Sequence, residues 1–235
     1  MERKYSQQHE KLEKALGYSF TNKDHLLLAL THSTYAYEHR KLGVVSNQRL
    51  EFLGDAILDF IIGEEIYKSK SSWDEGKLSK TRALVVCEKT LSKVAEELLV
   101  GNLLFLGKGE EGTGGREKIS TLADTMESLF AAIYLDGGFD AAKEVILRCL
   151  RPYIDQALHG ELIFDYKSRL LEKAQMKNDP HRVLFDVVRE DGPVHDRVFE
   201  VAVLIDGQEV VRAEGRSKKQ AEQEASRLAL EIWKQ

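Results

Sequence analysis

The stretch NQRLEFLGDAILD, residues 47–59, sets the terms for everything around it. Glu51 and Asp55 are four apart, so on a helix their carboxylates stack on one face. Like charges at that spacing repel and weaken an isolated helix. Gln48 and Asp59 fall near the same stripe, while Leu50, Leu53, Ile57 and Ile61 lie on the other side and are expected in the core. Gly54, beside the acids, leaves room for another backbone to approach. Taken alone, the pattern also fits a solvated acidic face, which is what surface charge ordinarily is.

A second segment shifts that balance. In STLADTMESLFAAIYLDGG, residues 120–138, Asp124 and Glu127 are three apart and surrounded by Leu122, Met126, Leu129, Phe130 and Ile133. Carboxylates in such an apolar setting are costly unless paired or bound to metal. Two helices offering two carboxylates each make an all-oxygen ligand set, the kind that magnesium and manganese prefer. No His or Cys accompanies the four acids, which argues against zinc. A cation held there would activate water and stabilise charge on a phosphate under attack.

Working outward, residues 1 to about 155 show mainly helical periodicity. Leu12, Ala15 and Leu16 share a face of a short helix ended near Gly17, and Thr21-Asn22 caps a helix carrying residues 26–30. Residues 39–46 read as a loop and 47–69 as a long helix. One helix is expected from about residue 77 to 99. The Gly- and charge-rich residues 107–118 read as an exposed loop. A helix over 120–135 follows, stopped by Gly137-Gly138, and another spans 140–158. After residue 160 the pattern changes. A helix over 165–176 precedes strands over 182–189, 197–205 and 209–214, marked by alternation and β-branched content, with Asp206-Gly207 as a two-residue hairpin turn. A last amphipathic helix covers 217–233. The fold class expected is therefore an all-α domain over residues 1–158, a short linker over 159–164, and a small α+β domain of order α-β-β-β-α over 165–235.

Composition is globular, with 43% hydrophobic and 31% charged residues. The net charge of -5 argues against a generally basic nucleic-acid binder. Residues 165–235 carry 13 basic and 14 acidic side chains, so any nucleic-acid contact must rest on a local patch. Cys87 and Cys149 sit in apolar stretches and are expected as buried, reduced thiols. The polar N-terminus has no signal-peptide core, and no apolar run reaches the ~18 residues of a membrane span, so a cytoplasmic protein with no membrane partner is expected.

Residues 50–55, LEFLGD, resemble the core of the ribonuclease III signature. LTHSTYAYE (30–38) is similar to the motif that precedes it, DEGKLSKTRALVV (74–86) to the segment that follows, and LGKGEEGTGGREKISTLADTMESLFAAIYLDGG (106–138) to the last catalytic block of that family. The resemblance implies a helical catalytic domain working as a homodimer, with magnesium (or manganese in its place) held by Glu51, Asp55, Asp124 and Glu127. Of these, Asp55 and Glu127 would be the catalytic acids. It further implies Glu75 lining the cleft and Phe52 packing into the partner subunit, although an ordinary core role for Phe52 fits equally. Gln48 also lines the cleft, where the signature usually begins with an acid; it can hydrogen-bond but brings no charge.

The C-terminal part resembles the double-stranded-RNA-binding domain in DYKSRLLEKAQ (165–175), GPVHDRVF (192–199) and GRSKKQAEQEA (215–225). Ser217, Lys218 and Lys219 at a helix N-terminus, with Arg216 beside them, combine free amides, helix dipole and cations into a phosphate site. Positions that touch RNA in the family map onto Ser168, Glu172, Gln175 and His195. Leu171 and Ala213 depart from that pattern, where a polar residue and a glycine are common. Together the two halves imply an endonuclease that cuts double-stranded RNA to 5′-phosphate and 3′-hydroxyl ends with short 3′ overhangs, in processing of ribosomal precursors and other structured RNAs. The alternative is a catalytically weak or inactive RNA-binding relative. Loss of one of the four acids would favour it, and none is lost.

Overall fold

Residue 54 is where the first domain is assembled. The computed structural model describes residues 4–175, 180–193 and 196–233. Helix α4 (Gln48–Ser69) crosses α8 (Ile119–His159), and the two make the most extensive helix–helix packing of the domain. Around them lie α1 (Gln7–Leu16), α2 (Lys23–Ala29), α3 (Ser33–Glu38), α5 (Glu75–Val86), α6 (Glu88–Glu97) and the short α7 (Lys108–Gly112). The first half of α8 is buried on nearly every side: Leu122, Ala123, Met126 and residues 129–133 are at most 2% exposed. A helix apolar all round belongs at the centre of a domain, and Asp124 and Glu127 are carried within it.

The buried stripe of α4 runs through Leu50, Gly54, Leu58, Ile61, Ile62 and Ile66. Leu53 and Ile57, expected in the core, are only half-buried. The core stripe is therefore rotated toward the acidic edge of the helix. On the opposite side Phe52, Ala56, Phe60 and Tyr67 form an exposed stripe.

The single helix expected up to residue 99 is two helices. Cys87 adopts an extended conformation (φ -69°, ψ 157°), ends α5 and starts α6. No Pro or Gly marks this break. Thr90 holds it, its hydroxyl donating to the carbonyl of Leu84 at 2.7 Å while its amide donates to that of Cys87 at 2.9 Å. The glycine pair produces a kink rather than a stop: Gly138 (φ 82°, ψ -176°) is non-helical, and α8 resumes beyond it. The loop expected over 107–118 contains α7. Both thiols are free but half-buried rather than fully buried, and burial pushes that of Cys149 up to about 11.

The chain divides into two units, Met1–Leu162 and Ile163–Gln235. In the second, α9 (Tyr166–Gln175) and α10 (Lys218–Ile232) pack with a three-stranded antiparallel sheet of order β1 (Val183–Asp191), β2 (Val198–Ile205), β3 (Gln208–Gly215). The β2–β3 turn has positive φ at both Asp206 (52°) and Gly207 (81°), the type I′ geometry that matches strand twist. Leu170, Val203, Ile205, Ala213, Ala225 and Ala229 form the core, with Phe185 and Trp233 packed against it. Ala221, Ala225 and Ala229 recur every fourth residue, so the buried face of α10 is smooth and lies close to the sheet.

Candidate active site and nucleic-acid interface

Gly54 is buried because α8 passes directly over it. A Cβ at this position would lie 1.9 Å from the backbone oxygen of Glu127. The missing side chain thus brings the acidic edge of α4 onto the peptide that carries Glu127. One turn before Gly54 is Glu51, half-buried, and one residue after it is Asp55, exposed; Asp124 and Glu127 are half-buried. Among the described residues none of the four is in an ion pair.

Their electrostatics follow from that placement. Burial, then the charges of Asp55, Asp124, Glu51 and Glu88, pushes the Glu127 carboxyl up to about 8. Glu51 is raised by burial and by Asp124 and Asp55. Asp124 is raised by burial and by Glu88, with His32 and Lys118 pulling the other way. The cluster is thus short of positive charge, and its carboxylates repel one another across two helices. All-oxygen ligands lacking a cationic partner suit a hard divalent ion, which would relieve both the burial and the repulsion. Among the described residues no three of these side chains are already gathered around one point.

Two further acids bear on the surroundings of this cluster. Glu75 opens α5 and accepts a hydrogen bond from the Ser79 hydroxyl at 2.8 Å. At ~1.5 Å rise per residue, the length of α5 separates it from Glu88, and it is not among the charges acting on Glu51, Asp124 or Glu127. Glu88, which the sequence reading missed, takes the nearer place as the first residue of α6. The break at Cys87 puts it there, and no local signal announces that break. Gln48, exposed at the first position of α4, accepts from the Ser46 hydroxyl at 3.2 Å. Phe52 is 81% exposed, so the core alternative for it is excluded within a single chain.

In the second unit, Ser217 caps α10, accepting from the Gln220 amide at 3.2 Å, while the Gln220 side chain accepts from the Arg216 amide at 3.1 Å. Arg216, Lys218 and Lys219 are exposed, and among the described residues none of them is in an ion pair. The sheet differs. Arg189 pairs with Glu200 and Glu214, Arg197 with Glu190, and Arg212 with Glu209. Uncompensated cations are therefore concentrated at the start of α10. Lys167 bonds Glu222 and Gln223 bonds Asp165, which sets the first turn of α9 alongside the second turn of α10. Ser168 is in that turn, its hydroxyl donating to Asp165 at 2.8 Å. Glu172 and Gln175 follow along α9, and Leu171 is half-buried. His195 lies outside the described residues.

Comparison with known proteins gives this geometry a context. A family model described as ribonuclease-III-like matches residues 22–154, and the double-stranded RNA binding motif matches residues 166–232. The chain is 45% identical over 219 residues to Ribonuclease 3 of Pelotomaculum thermopropionicum, covering 93% of this chain and 90% of that one. The chain belongs to the ribonuclease III family. Ribonuclease 3 of Clostridium perfringens is 42% identical over 220 residues, covering 94% and 92%. Among solved structures, the nuclease domain of ribonuclease III from Campylobacter jejuni superposes with a TM-score of 0.57 at 41% identity, over 61% of this chain and 96% of that one. The chain is thus a double-strand-specific endoribonuclease by family, with a ribonuclease III nuclease domain followed by a double-stranded-RNA-binding domain. Among the described residues no helix is long and apolar enough to cross a membrane.

If Lys218 and Lys219 hold phosphate, changing both to Ala weakens duplex binding and lowers the steepness of its log–log salt dependence by about two, roughly one for each lysine–phosphate pair removed. Titration of a labelled duplex at several salt concentrations measures this. An unchanged slope would remove both residues from the interface.

Proposed function

We propose that the chain is a magnesium-dependent enzyme in which Glu51, Asp55, Asp124 and Glu127 hold the cation, with manganese able to substitute. The observation that carries this reading is the half-buried Glu127, which feels the charge of four further acids and has no cationic partner among the described residues. When bound, magnesium would supply Lewis-acid charge to the phosphate and lower the pKa of water beside it. The chain's own residues do the rest. α4 and α8 fix the acids relative to each other, Asp55 and Glu127 orient the attacking water, and the α10 patch anchors the duplex. Attack of water oxygen on phosphorus breaks the bond to the 3′-oxygen, leaving a 5′-phosphate and a 3′-hydroxyl. Gln48 and Glu75 line the cleft, and Ser168, Glu172, Gln175 and His195 contribute to the RNA surface.

The reading includes a homodimer whose two sites cut opposite strands with an offset, leaving short 3′ overhangs. Its support is the stripe Phe52, Ala56, Phe60 and Tyr67, apolar and aromatic on one face of α4. The related Campylobacter jejuni nuclease domain has a region involved in dimer formation. Phe52→Glu is expected to raise the dimer dissociation constant at least about thirtyfold, the scale of losing a 2 kcal/mol anchor. Sedimentation at micromolar concentration measures it, and an unshifted dimer would exclude Phe52 from the interface. The proposed setting is the cytoplasm, with ribosomal precursors and other structured RNAs as substrates.

The decisive experiment incubates the purified chain with a long RNA duplex, with magnesium or with chelator, and identifies the product ends. Cutting in chelator, or 5′-hydroxyl products, would refute the proposal.

A further inference from the structure

Asn47 is a polar residue with no part in the chemistry above, yet it is only 3% exposed. Its bonds run to the end of α2, to α4 and to α8. Its amide donates to the Thr31 carbonyl at 2.9 Å, and its side-chain Nδ2 donates to the Ala29 carbonyl at 3.1 Å. Both acceptors follow or end α2, next to the bridge that pairs Thr31 with Phe105. Its own carbonyl accepts from the amide of Leu50 at 2.8 Å and from that of Glu51 at 2.9 Å. The same carbonyl takes a longer bond, 3.4 Å, from the hydroxyl of Ser128, which is fully buried.

One peptide oxygen therefore holds the amide of Glu51 and the side chain of the residue next to Glu127. The second meeting of α4 and α8, Gly54 on the Glu127 backbone, lies two turns further along α4. The two meeting points bracket Glu51 and end on adjacent residues of α8. Two fixed points define both the distance and the rotation between helices, which a single one cannot.

From this we infer that Asn47 and Ser128 are a positioning pair that sets the spacing of Glu51 and Glu127 before cation or RNA arrives. The inference rests on the reading of those acids as cation ligands. Asn47 acts through its anchor on Ala29, and Ser128 transmits the constraint to α8. Groups that orient ligands in this way change metal affinity by about 10–100-fold when removed. A residue that only capped α4 would change stability and leave metal affinity alone.

The test uses the full chain and the variants Ser128→Ala and Asn47→Ser. Melting temperature is measured in chelator, manganese affinity by calorimetry without RNA, and duplex affinity in chelator. Ser128→Ala is expected to fold with a small loss of melting temperature. Its manganese dissociation constant rises about tenfold or more, and its duplex affinity is unchanged. Asn47→Ser behaves likewise with larger effects. If it does not fold, Ser128→Ala decides alone. Manganese affinity within about twofold of wild type in a folded Ser128→Ala overturns the inference, on the same scale. Wild type that binds no manganese removes the ligand reading beneath it, and the inference with it.

Discussion

Adding one methyl group at residue 54 is expected to silence the enzyme without altering any acid. In an exposed helix, Gly→Ala stabilises by roughly 1 kcal/mol. Here the sign reverses, because the new Cβ would lie 1.9 Å from the Glu127 backbone oxygen. Backbone cannot step aside as a flexible side chain does, so α4 and α8 must separate. Overpacking of this kind costs about 1–3 kcal/mol. The displacement acts on the two helices that carry all four acids, and misplacement by about 1 Å is enough to cost on the order of 10²-fold in rate. Gly54→Ala should therefore melt earlier and cut a long duplex at least ~10²-fold more slowly. A variant that cuts at close to the wild-type rate would show that this crossing does not set the spacing of the acids.

Glu127→Gln should abolish cutting while making the cation-free protein more stable at alkaline pH. The Glu127 carboxyl is raised to about 8, first by burial and then by Asp55, Asp124, Glu51 and Glu88. A group whose pKa is raised on folding contributes stability while it is protonated. That contribution is complete below the ordinary glutamate value and disappears as pH rises toward 8. Wild type in chelator should thus lose stability between about pH 5 and 8 from this residue. The Gln variant, which stays neutral, lacks that component of the loss. Magnesium should restore wild type at pH 8 and do less for the variant, since binding displaces a proton from the acid that holds the ion. Cleavage should fall on the order of 10³-fold, as expected when several kcal/mol of charge stabilisation are removed. Thermal melts at pH 6 and pH 8, with and without magnesium, measure the first effect; duplex cleavage measures the second. Equal cutting by both proteins would show that the site has been assigned to the wrong residues.

How much of this was legible depended on whether the controlling interaction was local. The helix of residues 48–69 and the facing of Glu51 and Asp55 follow from a 3.6-residue period. The Asp206-Gly207 turn follows from two residues that tolerate positive φ, and both have it. The patch at Ser217, Lys218 and Lys219 was readable because capping chemistry is written within four residues. The break at Cys87 was not readable. It carries no Gly or Pro and is held by the Thr90 side chain folding back on Leu84. Glu88 was missed with it, since an acid in the middle of a supposed helix has no reason to approach Asp124. The core positions of α4 were half right because periodicity gives a face but not the arc that a neighbour covers. α8 lies over Gly54, so Leu58 and Ile62 are buried and Leu53 and Ile57 only partly so. Asn47 looked like a helix start, and only tertiary structure reveals what it bonds.

The first half of α8 has a consequence for how damage to this protein would present. Asp124 and Glu127 ride on a rod whose other faces, bearing Leu122, Met126, Leu129 and Phe130, are buried in the domain. Trimming one of those apolar groups would leave a void that the rod shifts or tilts to fill, carrying the acids with it. Such lesions, remote from any phosphate, would present in an assay as failures of catalysis while the fold still persisted.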